Sequence, residues 1–420
     1  MTTRPPPSKS SKTVLKNMRL VCERCILHDM AVVMDDGVIE QVVEYDDSLF
    51  IECNVVDLNG ALLCPGFIDL QIYGSGGNLF GGHPTVEGLR QLESDLCAQG
   101  TTGFLATIAT NTYDIIKQGM VSAIDIMHGE KSKGNFLGLH LEGPFISSHR
   151  RGAHPEVFIE TCHMAIVRTL LEDAQGTLKM MTIAAELVSA DIREVLQGHG
   201  VVLSCGHSNA TFSEASSFLR RDTVGPCPAD HDPSLVPTVT HLFNAMPPLH
   251  HRDLGLVGAV LEHKPFASII VDGLHVDFAM VRLAKKLMQG KLFLITDAVT
   301  DSTQGTYPHI RQEDEVVDAN GISRIVAKYV MPDGTLSGSA LTMPLAVRNC
   351  VEYCGISLPE AVNMASLYPA RVIGMDGRKG KIQSGADADL CIIDDKFNVL
   401  ATFIGGKCVY NKDNFIQFPP

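Results

Sequence analysis

Eight short apolar runs, most of them followed by a segment of helical spacing, occupy the middle of this 420-residue sequence. They are residues 66–73, 103–110, 136–143, 180–187, 201–208, 238–245, 266–273 and 292–299. Eight parallel strands buried on both faces, with helices between them, predict an α/β fold of the (β/α)8, TIM-like barrel class. Segments such as 85–100 and 358–374 carry apolar residues at three- and four-residue spacing, as amphipathic helices require. A doubly wound open sheet is the alternative, but the sequence lacks a Gly-rich first turn of dinucleotide-binding spacing.

The two ends read differently. Residues 14 to about 62 alternate apolar and polar side chains, and Asp35-Asp36-Gly37 supplies hairpin turn chemistry. Residues 385–410 alternate in the same way. Neither end can bury a core alone, so the expectation is one small β-sandwich domain from residues 14–63 and 380–412, with a barrel over 64–379. The polar, Pro-rich residues 1–13 read as a disordered tail, neither secretory signal nor transit helix.

Acidic side chains outnumber Lys plus Arg 48 to 34, a formal charge of −14. An average field of that sign argues against a nucleic-acid partner, and no apolar window is long enough to span a membrane. The twelve cysteines are scattered through apolar segments, which suits free thiols in the cytoplasm. Cys22-x-x-Cys25 and Cys350-x3-Cys354 resemble halves of a zinc clasp without a nearby histidine pair, and packed thiols are the preferred reading.

Barrel active sites lie at the C-terminal ends of the strands. Run 1 carries Asp69, Gln71 and Tyr73, and run 3 ends in His140-Leu141-Glu142-Gly143-Pro144. Runs 5, 6 and 8 carry His207, Thr240-His241 and Thr296-Asp297. One carboxylate and two imidazoles from separate strands can converge on a divalent ion, leaving a fourth position for water. Asp297 then stands apart as the base that takes the proton of that water. His140 shares a face with Glu142 and is a second candidate near the ion.

The stretches PGFIDLQIYGSGG, HLEGPF, GAH, GHS, THLFNAM, HRDLGLVGA, DGLH, TDA and TLSGSALTM occur in this order between residues 65 and 343. Together they resemble the motif set of the N-acetylglucosamine-6-phosphate deacetylase family of the amidohydrolase superfamily. That resemblance implies hydrolysis of the acetamide of N-acetylglucosamine 6-phosphate by a water that the ion activates. It implies Glu142, His207 and His241 as ligands of one divalent metal per subunit: Zn2+ by preference, with Fe2+, Co2+ or Mn2+ as alternatives. It implies Asp297 as general base and then acid, and His154 as a residue polarising the carbonyl or holding the sugar. Ala153, Asn244, Ala245, Leu336, Ser337 and Gly338 match sugar-pocket positions. Arg252 and His275 match phosphate contacts, with Arg252 reaching the neighbouring subunit of a homodimer.

Two departures accompany the match. Many amidohydrolases carry His-x-His on strand 1, whereas this chain has Gln71-Ile72-Tyr73. Glutamine is a poor zinc ligand, so a one-metal site is expected. The Pro-rich residues 222–237 lengthen the connection between His207 and His241 and read as an exposed loop with a solvent-facing His231. The competing functions are another amidohydrolase acting on a different amide, and a catalytically silent, oligomeric scaffold. Retention of Glu142, His207, His241 and Asp297 weighs against the scaffold.

Overall fold

Each of the eight apolar runs contributes a strand to one parallel sheet in the computed structural model, which describes residues 12–129, 132–220, 237–302, 306–317 and 323–417. The strands are Phe67–Ile72, Thr101–Ala109, Phe136–Glu142, Leu178–Ile183, Val202–Cys205, Thr238–Val239, Ala267–Ile269 and Leu292–Leu294. They pair in chain order. A parallel bridge between Ile72 and Ala298 closes the ring, making the fold the expected (β/α)8 barrel. A helix follows each strand, from Val86–Ala98 after the first to Met343–Glu352 after the last. The helix starts are capped as their sequences allow. The Thr85 hydroxyl accepts from Gly88 N, and Thr211 with Glu214 forms a reciprocal capping box.

The terminal segments build two sheets outside the barrel. A four-stranded sheet comes wholly from residues 13–57. A six-stranded sheet joins the chain ends: Leu62–Pro65 runs parallel to Arg19–Val21 and antiparallel to Leu390–Ile393. Leu15, Leu20, Val32 and Leu63 from one end pack with Leu390, Ile392 and Phe403 from the other in a core of their own. The hairpin between Met30–Asp35 and Val38–Glu44 turns through Asp36 and Gly37, both at positive φ, as a two-residue turn of matching twist requires. Of the expected tail, Lys12 and Thr13 are described, and Thr13 already begins a strand. Residues 1–11, and residues 222–236 with His231, lie outside the described residues.

One element was not foreseen. After the eighth strand, Ile310–Val317, Ser323–Val330 and Leu336–Ser339 form an antiparallel three-stranded meander. A parallel bridge from Ser339 to Ala298 ties it to the rim where the strand ends gather. No helix among the described residues is long and apolar enough to cross a membrane.

Candidate active site

At the C-terminal end of the barrel the chain leaves several strands through left-handed backbone. His207, His241 and Asp297 have φ of 46°, 31° and 53°. Such conformations cost on the order of 1–3 kcal/mol each and persist where surrounding bonds over-determine them. Asp297 shows how. Its amide donates to Gln71 O at 3.0 Å and its carbonyl accepts from Ser339 N at 2.9 Å. The preceding Thr296 is held by the Asp69 carboxylate, through its amide at 3.2 Å and its hydroxyl at 2.5 Å. Burial pushes the Asp69 carboxyl up to about 7, against the pull of those hydrogen bonds.

Glu142, His207 and His241 converge as the strand pattern predicted. Glu142 Oε1 lies 3.1 Å from His241 Nε2 and 3.3 Å from His207 Nε2, and the two Nε2 atoms are 3.1 Å apart. A tetrahedral ion with bonds of about 2.0–2.1 Å needs donor atoms about 3.3–3.4 Å apart, so this triangle is close to one face of such a site. The ring orientation also fits a cation. His207 Nδ1 donates to Arg150 O at 2.8 Å, which turns its Nε2 towards Glu142 Oε1 and His241 Nε2. His241 Nδ1 is buried without a partner among the described residues. Burial opposes ionisation of Glu142, but His207 and the hydrogen bonds from His154, His207 and His241 outweigh it, so the carboxyl is held well below its ordinary range.

The other Glu142 oxygen accepts from the Tyr73 hydroxyl and, at 3.0 Å, from His154 Nε2. His154 Nδ1 meets Thr110 Oγ1 at 2.8 Å. Gln71 Nε2 sits between the two acids, 2.9 Å from Glu142 Oε1 and 2.7 Å from Asp297 Oδ1. It therefore fills, as a hydrogen-bond donor, the place where a second ligand set would begin. Burial first, then the charges of Glu142 and Asp69, push the Asp297 carboxyl well above the usual carboxylate range. A buried acid of that kind has a strong appetite for a proton.

Tyr73, Glu142, His154, His207, His241 and Asp297 line a cavity of about 280 Å³. Ala153, His154, Asn244, Ala245, His275, Leu336, Ser337 and Gly338 all line it. His275 is oriented by Asp272, which accepts its backbone amide at 2.8 Å and its Nδ1 proton at 2.6 Å. Arg252 does not join them; it is exposed in the turn that pairs His250 with Asp253. His140 is corrected. Its Nδ1 bonds Leu70 O at 2.9 Å and its Nε2 bonds Thr182 Oγ1 at 2.7 Å, so neither nitrogen is available to an ion. No cysteine pair appears among the candidate metal groups of the described residues, and the described cysteines are free thiols.

Sequence reasoning missed Tyr307 and His309, which also line the cavity. They lie between the eighth strand and the meander, where no motif or periodicity singles them out. Tyr307 donates to Thr110 O at 2.6 Å, and His309 Nδ1 meets Ser337 Oγ at 2.9 Å. Only the fold brings residues 307, 309 and 337 together.

The amidohydrolase family model matches residues 62–409. The N-acetylglucosamine-6-phosphate deacetylase of Haemophilus influenzae is 33% identical over 399 residues, covering 94% of this chain and 99% of its own. The enzyme of that name from Homo sapiens is 34% identical over 368 residues, 85% of each chain. The solved deacetylase of Pasteurella multocida has a TM-score of 0.80 at 31% identity, covering 94% of this chain and 99% of its own. A Mycobacterium smegmatis deacetylase variant, solved with N-acetyl-D-glucosamine-6-phosphate, has a TM-score of 0.77 at 26% identity, covering 96% and 100%.

Proposed function

The chain belongs to the amidohydrolase family, among its N-acetylglucosamine-6-phosphate deacetylases, and from that premise we propose that its cavity hydrolyses the acetamide of N-acetylglucosamine 6-phosphate to glucosamine 6-phosphate and acetate. The observation that carries this reading is the Glu142–His207–His241 triangle with Asp297 in the same cavity. A protein that had become a mere scaffold would have no reason to bury all four groups and to hold three of them, His207, His241 and Asp297, in left-handed backbone.

Glu142, His207 and His241 would hold one divalent ion, and a set of two imidazoles and one carboxylate suits Zn2+ first. When bound, the ion polarises the acetamide carbonyl and lowers the pKa of a water towards about 7. Asp297 removes the proton of the attacking water. It then delivers that proton to the departing amine nitrogen, so one carboxyl serves both steps because the second consumes what the first supplied. His154 would redirect the Nε2 proton it donates to Glu142 Oε2 onto the oxyanion that develops on the carbonyl, a contribution on the order of 3 kcal/mol in good geometry. Gln71 and Tyr73 keep the two acids in register by donating to them.

Asn244, the Ala153 and Ala245 backbone, and the Leu336-Ser337-Gly338 strand hold the sugar ring. His275 meets the phosphate from within the cavity. Arg252, exposed and outside the lining of its own cavity, supports a homodimer in which it supplies a bidentate phosphate contact to the neighbouring site. The free thiols support a reducing, cytoplasmic setting. Incubation of metal-replete protein with N-acetylglucosamine 6-phosphate should release acetate and a primary amine in equal amounts. Absence of both products would overturn the reading.

A further inference from the structure

Apart from the Tyr73 hydroxyl, one face of the cavity has no polar work in the mechanism. Tyr73, Leu79, Ala109, Val299 and Tyr307 line the cavity and pack on one another as a small apolar cluster separate from the barrel core. Its position is fixed by hydrogen bonds to the reacting end. The Tyr73 hydroxyl donates to Glu142 Oε2, and His154, which bonds the same oxygen, meets the Tyr307 ring edge-on at 6.2 Å between centroids. The Tyr307 hydroxyl is engaged by Thr110 O, which leaves its ring as apolar surface. Leu79 is set by the short pairing of Asn78–Leu79 with Gly74–Ser75, and the Phe80 amide anchors that turn to Tyr73 O at 2.9 Å.

An amide whose carbonyl is attacked beside Glu142 must put its acyl substituent within a bond or two of that point. The sugar, on the other side of the nitrogen, needs the polar lining of Asn244, His275 and Ser337. We infer that the wall formed by Leu79, Ala109, Val299 and Tyr307 is the acyl-chain subsite, and that Leu79 and Ala109 set the length of N-acyl group the enzyme accepts. This rests on the deacetylase reading and adds to it the substrate range: short unbranched acyl groups, with acetyl filling the space. A hydrophobic pocket separates homologues differing by one methylene by about 10–200-fold in kcat/KM, so truncating the closing side chain should move the limit visibly.

The test compares N-formyl-, N-acetyl-, N-propionyl- and N-butyryl-glucosamine 6-phosphate on wild type, Leu79→Ala and Ala109→Val, each shown to be folded by its melting transition. Leu79→Ala should raise the butyryl-to-acetyl ratio of kcat/KM at least tenfold. Ala109→Val, which needs no cavity to survive, should depress acetyl turnover tenfold or more while sparing formyl. Dissociation constants of the same series in an Asp297→Asn background should follow the same order. An active wild type whose ratios change less than twofold in both variants overturns the acyl subsite alone. A wild type inert on the N-acetyl compound overturns the deacetylase reading, and the subsite with it.

Discussion

Tyr73→Phe replaces one hydroxyl by a hydrogen and changes little else. The ring stays in its apolar cluster with Leu79 and Val299. Gln71 Nε2 loses its 2.8 Å contact to the hydroxyl but keeps both carboxylate acceptors. Glu142 Oε2 keeps His154. What disappears is a single donation to an ionised carboxylate, worth about 1.5–3 kcal/mol net. If that bond fixes the orientation of Glu142 for metal binding, the apparent metal dissociation constant should rise about 10–150-fold at 1.4 kcal/mol per decade. That range matches what outer-shell partners of metal ligands usually contribute, about 10–100-fold. Burial, then the charges of Glu142 and Asp297, push the Tyr73 hydroxyl well above its ordinary range. It therefore remains a donor at every working pH, and the effect should be flat between about pH 6 and 9. Competition against a chelator of known affinity, followed by elemental analysis of the protein, measures the shift directly. A variant that binds metal within twofold of wild type refutes the orienting role of Tyr73.

Asp297→Asn should retain bound metal and lose about 10²–10⁴-fold in kcat; near-normal turnover removes Asp297 from proton transfer. Arg252→Ala should raise KM for the 6-phosphorylated sugar and leave kcat/KM for the unphosphorylated sugar unchanged, and equal loss on both would make the arginine structural. The raised Asp69 carboxyl predicts a pH signature in stability. Between about pH 4, where the unfolded carboxyl titrates, and about pH 7, the folded state binds more protons than the unfolded state, so wild type loses stability as pH rises through that window. Asp69→Asn mimics the protonated form, so the melting temperature of wild type should fall relative to the variant across the window. Parallel curves would contradict it.

The barrel was legible because strands buried on both faces leave continuous apolar runs, and all eight runs contain strands. Their lengths were not legible to the same degree. The run at 238–245 is a strand only at Thr238–Val239; beyond it His241, Phe243 and Ala245 turn into left-handed backbone. Leu242 and Met246 are buried within that turn, and apolarity alone does not separate a buried turn from a buried strand. The Glu142–His207–His241 triangle was legible because each member lies at, or two residues past, the end of a different strand. His140 misled because it sits on the correct face of the correct strand, but one step deeper, where Leu70 O and Thr182 occupy its ring nitrogens. The meander at 310–339 escaped because its first strand, IRQEDEVV, is largely polar, and with it went Tyr307 and His309, which have no periodic or motif signal of their own.

The sheet that joins the two chain ends imposes an order of events on synthesis. Leu62–Pro65 is made early, yet its antiparallel partner Leu390–Ile393 lies about 330 residues later along the chain. At about 5–20 residues per second, the early strand waits on the order of half a minute with that edge unpaired. Leu63 and Cys64, fully buried in the finished fold, are meanwhile open to any strand that meets them. A nascent chain stalled before residue 390 should therefore be drawn to chaperones or to its own copies, even though most of its barrel has already been made.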